Sequence, residues 1–358
     1  MPKLKVCLPI LVLAALCLST HAAFGQIPGL AYETTDNRKF LPLSDQGPGS
    51  VLVYNLFSSN LHAPHVEDTR ISITNTSPDT PVIVHLMWVN GATCTTAETY
   101  ISLAANQSKT LLASEKMPSV RGYLIAQAVT TGVGVNNAGR GIPIAHDFLI
   151  GDALIRLSGL PSVKLTADAF VVSILPLLLF PNPGTPTTSG FVFFDQVCYT
   201  RAPRALNLSS ITGPITIDGT TLVINRFGGN LVTGGSALAI GTMAGIVYDQ
   251  SGTPLSFTLP AAGCQFMTTL SNMVPLTTPN IGTAIGSNQN GWMTLWSAVG
   301  NAIVGAAINF DAFHHPGSDS GGHHFVENFR TFNGGANLHI QTFNPGTSLT
   351  VPVSPVVF

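Results

Sequence analysis

Between Thr69 and Gly91 the chain passes from strict alternation to an almost unbroken apolar run. Ile71 and Ile73 alternate with Arg70, Ser72 and Thr74, the period of two that gives a strand one buried and one wet face. Ser77-Pro78-Asp79 follows, and there the chain is expected to reverse, because proline fixes φ and short polar side chains bond their own backbone. In the next segment Val82, Val84, Leu86 and Trp88 share one face and Ile83, Met87 and Val89 the other, with His85 the sole polar interruption. A strand of that kind is covered on both sides, and the Asn90-Gly91 that ends it is a strong hairpin signal. One half-wet strand beside one wholly apolar strand fits the interior of a packed β-sandwich.

The same short periods recur along the chain. Strands are expected at 50–57, 99–103, 108–113, 122–129, 144–150, 152–157 and 164–171, separated mostly by Asn, Gly or Pro. A second set falls at 191–195, 220–227, 242–248, 255–259, 292–298, 303–310, 337–343 and 348–353, with Asp249-Gln250-Ser251-Gly252 as a hairpin turn. Residues 235–245 are the one helix-like piece, and their glycines argue against a helix. The Pro- and Thr-rich stretch 181–190 reads as a linker. These elements predict an all-β, predominantly antiparallel protein of two sandwich-like, immunoglobulin-like modules, at 50–180 and 191–358.

Composition changes the picture at the N-terminus. Lys3 and Lys5, the apolar run from Val6 to Leu18 and the small residues before Gln26 read as a secretory signal peptide over residues 1–25, followed by an exposed leader over 26–49. Leu16 before Cys17 argues against lipidation. Without Lys3 and Lys5 the 15 basic residues become 13 against 17 acidic ones, a formal charge of −4 that disfavours a nucleic-acid partner. Charged residues make up only 9% of the chain, which favours strands and tight turns over charged surface helices. The apolar run at 169–180 is too short to span a bilayer and contains Pro176, so a mature chain without a transmembrane segment is expected. Its three cysteines, Cys94, Cys198 and Cys264, imply one disulfide and one leftover thiol in an oxidising compartment, with the pairing open.

Five stretches, GSVLVYNLF, ISITNTSPDTPVIVHLMWVNG, LVINRFGGNLVTGG, GIVYDQSGTPLSF and ANLHIQTF, together resemble a group of uncharacterised secreted bacterial β-rich proteins. The resemblance spans most of the mature chain. It implies export and a β-rich fold, and it transfers no catalytic residue. Proteins of that group carry a second cysteine after the one near the Asn-Gly hairpin, whereas here the residues after Cys94 contain none.

Candidate chemistry is concentrated in 311–327, DAFHHPGSDSGGHHFVE. His314, His315, Asp319, His323 and His324 are donors of the kind that zinc, copper or nickel prefer, with Asp311 and Glu327 flanking. No HExxH spacing is present, and the glycines leave these donors without preorganisation, so a solvated Gly-Ser-rich loop is the competing reading. Asp319-Ser320-Gly321-Gly322 echoes a serine-protease nucleophile motif, but Ser318 stands where glycine belongs and only His146 and Asp152 imitate its partners. The glycine-rich 132–141 lacks the strand-then-helix flanks of a phosphate loop.

Trp292 and Trp296, four apart on a strand, share a face on which a sugar can stack, although the apolar residues around them point to core packing. His85 reads as a hydrogen-bonded core histidine. Asn75, Asn106 and Asn207 match the N-x-S/T acceptor pattern. With no catalytic set in view, the sequence points to a secreted or cell-surface, non-enzymatic β-sandwich protein that needs no cofactor. Its role would be structural, adhesive or ligand-binding, toward an extracellular glycan, protein or other ligand. The alternative is a metal-binding protein or metal-dependent hydrolase built on 311–327.

Overall fold

In the computed structural model the alternation of Ile71 and Ile73 with polar neighbours becomes strand β2 (Asp68–Asn75), and the apolar run becomes β3 (Val82–Asn90), buried along nearly its whole length. Residues 47–129, 143–171, 191–310, 325–331 and 348–350 are described, apart from breaks at 159–161, 195–198, 201, 204, 213–218, 232–234, 274–279, 287–288, 299–300 and 329. All of them belong to one compact unit. The expected signal peptide, the 132–141 stretch and the 181–190 linker lie outside the described residues.

The chain does not reverse into a hairpin at Ser77-Pro78-Asp79. It changes sheets there, because β2 and β3 belong to different sheets. The turn is held by Asn75, whose side chain donates to Thr80 O at 2.8 Å and accepts from Ser77 N at 3.1 Å, and by Ser77 Oγ, which accepts from Thr80 N. The inward residues of β2 and β3 enter the same apolar cluster from the two sheets.

β3 forms a sheet with β1 (Val51–Ser58), β4 (Thr96–Leu103), β6 (Arg121–Val129) and β9 (Asp168–Phe170), in the order β4-β3-β6-β1-β9. β2 joins β5 (Ser108–Leu112), β7 (Leu149–Arg156) and β8 (Val163–Thr166), in the order β5-β2-β7-β8. The two strands expected at 144–150 and 152–157 are one strand, β7, whereas the single strand expected at 164–171 divides at Ala167 into β8 and β9 in different sheets. Asn90-Gly91 does close the β3–β4 hairpin, through a loop in which Asn90 N donates to Thr95 O and Asn90 Oδ1 accepts from Ala92 N and Thr93 N.

After β10 (Phe191–Phe193), the second half contains β11 (Ala205–Thr212), β12 (Gly219–Arg226), β13 (Gly229–Asn230), β14 (Gly241–Tyr248), β15 (Pro254–Ala261) and β16 (Gln265–Thr269). It continues with β17 (Asn290–Ser297), β18 (Ile303–Phe310), β19 (Phe325–Asn328), β20 (Arg330–Thr331) and β21 (Ser348–Thr350). Two antiparallel sheets result, β15-β14-β17-β11-β20 and β16-β12-β18-β19. A small mixed sheet, β10-β21-β13, pairs β13 and β21 in parallel. The helix-like 235–245 is no helix; its C-terminal part forms β14. The protein is all-β, with several antiparallel sheets and none closed into a barrel among the described residues. No described helix is long and apolar enough to cross a membrane.

Three apolar clusters follow from these layers. The even-numbered residues of β3 pack with Leu52, Leu56, Ile71, Ile73 and Ile155 between the first two sheets. Leu208, Leu222, Met243, Phe257 and Leu295 fill the space between the β15-β14-β17-β11-β20 and β16-β12-β18-β19 sheets. The third cluster covers the far side of the β3 sheet, where Val53, Met87, Val89 and Ile125 meet Phe194, Tyr199, Phe227 and Val304 from later in the chain. Burial on that second side explains why β3 carries apolar residues on both faces. Phe170 stacks on Phe227 with centroids 5.0 Å apart, and polar side chains complete the junction: Asn225 Nδ2 donates to Asn55 O, and Tyr123 OH to Arg226 O at 2.8 Å.

Candidate functional site

β14 and β17 turn Met243, Val247, Met293 and Leu295 inward, so the intervening residues Ile246, Tyr248, Trp292, Thr294 and Trp296 lie on the outer face of their sheet. The register places Tyr248 directly opposite Trp292, and the two rings stack with centroids 3.6 Å apart at 11°. Core packing, expected from the apolar segment, does not hold for Trp292: it is 40% exposed. Trp296, four residues on, is half-buried on the same face. Alternation rather than total hydrophobicity decides which side a strand residue takes.

Polar groups border this aromatic surface. Between the tryptophans, Thr294 Oγ1 donates to Asn207 Oδ1 at 2.9 Å. Beyond Tyr248 the chain turns through Asp249 to Thr253, as its residues lead one to expect; Gly252 adopts φ 83°, where a side chain would be strained, and its N–H donates to Asp249 O. The Asp249 carboxylate accepts from Ser251 Oγ at 2.6 Å and Thr253 N at 2.7 Å, and these bonds hold its pKa below the ordinary value. Flat rings with the Thr294 hydroxyl and the Asn207 amide on the same sheet face suit a ligand with one apolar face and a hydroxylated rim.

His85 is a core histidine. It is fully buried on β3, its Nε2 lies 2.8 Å from Glu98 Oε2, and its ring stacks on Tyr100 at 4.1 Å. Burial lowers its pKa, outweighing the raising effect of Glu98, so the ring is neutral and donates Nε2–H to the carboxylate. Nδ1 is then an acceptor with no partner among the described residues. The pair is therefore a neutral hydrogen bond to a carboxylate rather than an ion pair.

The protease-like reading finds no support at its histidine. His146, 4% exposed, directs Nε2 to Asn75 Oδ1 at 2.9 Å, while Asp152 is engaged by Lys164 Nζ at 3.1 Å. Ser320 lies outside the described residues, as do the metal-donor candidates His314, His315, Asp319, His323 and His324. The strands flanking them, β18 and β19, are paired antiparallel, Asn309 opposite Phe325. Among the described residues no group of three or more His, Cys, Asp or Glu is placed to hold a metal ion. Asn75 is fully buried and hydrogen-bonded, so it is no glycan acceptor in the folded chain.

No protein-family model, curated protein or solved structure matches this chain. The functional reading therefore rests on the geometry above.

Proposed function

We propose that this is an exported, non-enzymatic β-sandwich protein that binds carbohydrate on the outer face of the β14–β17 strand pair. The observation that carries the reading is Trp292, 40% exposed and stacked on Tyr248 in a segment otherwise apolar enough to bury it. Leaving two-fifths of a large aromatic side chain exposed forgoes on the order of 1 kcal/mol of burial that a core position would gain, and exposed aromatic surface of this kind marks interaction sites. A pyranose offers a face of C–H groups that lies flat on an indole, its polarised hydrogens meeting the negative ring face, while its equatorial hydroxyls reach the polar border. Export is supported by the N-terminal sequence pattern.

Retention on immobilised polysaccharides tests the reading. The wild-type chain is expected to be retained and Trp292→Ala to pass through. Equal behaviour of the two on every glycan tried would remove the aromatic face as the binding site.

A further inference from the structure

Cys94 and Cys264 lie 170 positions apart in sequence yet meet in the third apolar cluster. Cys94 belongs to the β3–β4 hairpin loop, and Cys264 to the short connection between β15 and β16. The backbone N–H of Cys264 donates to Cys94 Sγ at 3.0 Å, and Cys264 Sγ donates to Asn90 O at 3.3 Å, in the same hairpin loop. We propose that these two cysteines form an intrachain disulfide in the mature protein, tying the first sheet to the second half of the chain.

Three features support the pairing. Cys94 Sγ lies 3.0 Å from the backbone N of Cys264, and the two thiols are neighbours in one buried cluster, the proximity that a disulfide requires. Both loops are fixed at this point: Ala237 N donates to Cys94 O at 2.8 Å, Cys94 N to Asn90 O at 2.8 Å, and Arg226 N to Cys264 O at 2.8 Å. Cys94 also holds φ 61°, a left-handed conformation that costs a non-glycine residue about 1–2 kcal/mol and in which glycine would be at ease. A cysteine kept where glycine fits better points to a requirement for its sulfur.

The chemistry is thiol–disulfide exchange with a small-molecule or protein disulfide as oxidant. Either thiol can begin the exchange while the chain is still unfolded, and Cys94 is taken first here. Its thiol loses a proton, and the thiolate attacks the oxidant's disulfide, forming a mixed disulfide and releasing one thiolate. Cys264 then loses its proton and attacks Cys94 Sγ, expelling the second thiolate. The pair loses two protons and two electrons, and the oxidant leaves as two thiols. Burial raises the pKa of Cys264, and Cys94 beside it raises it further, so exchange is slow once the chain has folded and the bond forms during folding. An oxidising compartment is what the export reading supplies, but the pairing is testable in vitro whether or not that reading and carbohydrate binding hold.

The mature chain is refolded from the reduced, unfolded state with glutathione disulfide, alkylated, digested without reduction and mapped by mass spectrometry. The expected result is one cross-linked peptide joining Cys94 to Cys264, present in wild type and in Cys198→Ser and missing from Cys94→Ser and Cys264→Ser. Since a serine variant can fail to fold, the wild-type and Cys198→Ser maps decide the matter. A cross-link that uses Cys198, or three alkylated thiols in refolded wild type, would overturn the proposal.

Discussion

The Trp88 indole meets the Phe57 ring edge-on, with centroids 5.2 Å apart and planes at 82°, and its Nε1–H donates to Thr99 Oγ1 at 3.2 Å. Both rings are fully buried between the first two sheets. Trp88 therefore fills the core and satisfies its one polar group there, the arrangement that makes a buried tryptophan favourable.

Trp88→Ala is expected to destabilise the protein by about 3–5 kcal/mol, through lost apolar burial and the cavity left behind. Urea unfolding of wild type and variant measures it. A loss below about 1 kcal/mol would show that the ring contributes little to the core.

Gly122, on β6, is fixed by the approach of a neighbouring strand: a Cβ there would stand 1.8 Å from Val89 O. The obstacle is backbone, so β3 and β6 must separate locally. Gly122→Ala is expected to cost about 1–3 kcal/mol or more, read from the same unfolding curves. An unchanged midpoint would contradict the tight β3–β6 pairing.

Acid should weaken the fold through its buried histidines. Burial lowers the pKa of His85 and of His146 below the ordinary 6.5, so the unfolded chain binds these protons more readily than the native one. Their neutral forms cost no stability above 6.5, and stability falls as pH drops from there toward the folded-state values. For His85, protonation also places a new N–H at Nδ1, where no described residue accepts it. Unfolding midpoints compared between about pH 8 and about pH 5 should show the loss, and His85→Gln should flatten it. An equal slope in the variant would assign the effect elsewhere.

Much of the fold was legible in the sequence because strand alternation is local. Ile71 and Ile73 marked β2, the two-faced run from Val82 marked β3, and Asp249 to Gly252 marked the β14–β15 turn. What alternation does not encode is the partner of a strand. The proline turn after β2 looks the same whether it closes a hairpin or changes sheets, and the strand expected at 164–171 gave no sign that its halves serve different sheets. β11 and β16 went unrecognised, since Ser and Thr in SSIT and QFMTT blur the period.

The aromatic face was half legible. The spacing of Trp292 and Trp296 put them on one side, but only the inward positions of Met293 and Leu295 showed that this side is the outer one. Tyr248 came from another strand and needed the β14–β17 register. Cys94 and Cys264 were visible as residues, whereas their meeting depends on two loops 170 positions apart.

For the histidine-rich segment 311–327, we expect no zinc-dependent hydrolysis and at most weak metal binding, because its donors have no scaffold in the sequence. A metal bound only by the native state would raise stability by about 2.7 kcal/mol at a hundredfold excess over Kd, and its affinity would fall as the imidazoles protonate. Thermal unfolding with zinc at neutral and acidic pH, compared with a variant carrying alanine at His314, His315, His323 and His324, distinguishes the two cases. Stabilisation lost in the variant would make this segment a metal site.

The central claim is that the Trp292 ring serves a ligand rather than the core. Calorimetric titration of an oligosaccharide from the best-retained polysaccharide, into wild type and Trp292→Ala, tests it most directly. The account expects binding by wild type and a loss of about tenfold or more in the variant, equivalent to about 1.4 kcal/mol. Equal affinity in the two proteins, or no binding by either, would contradict it.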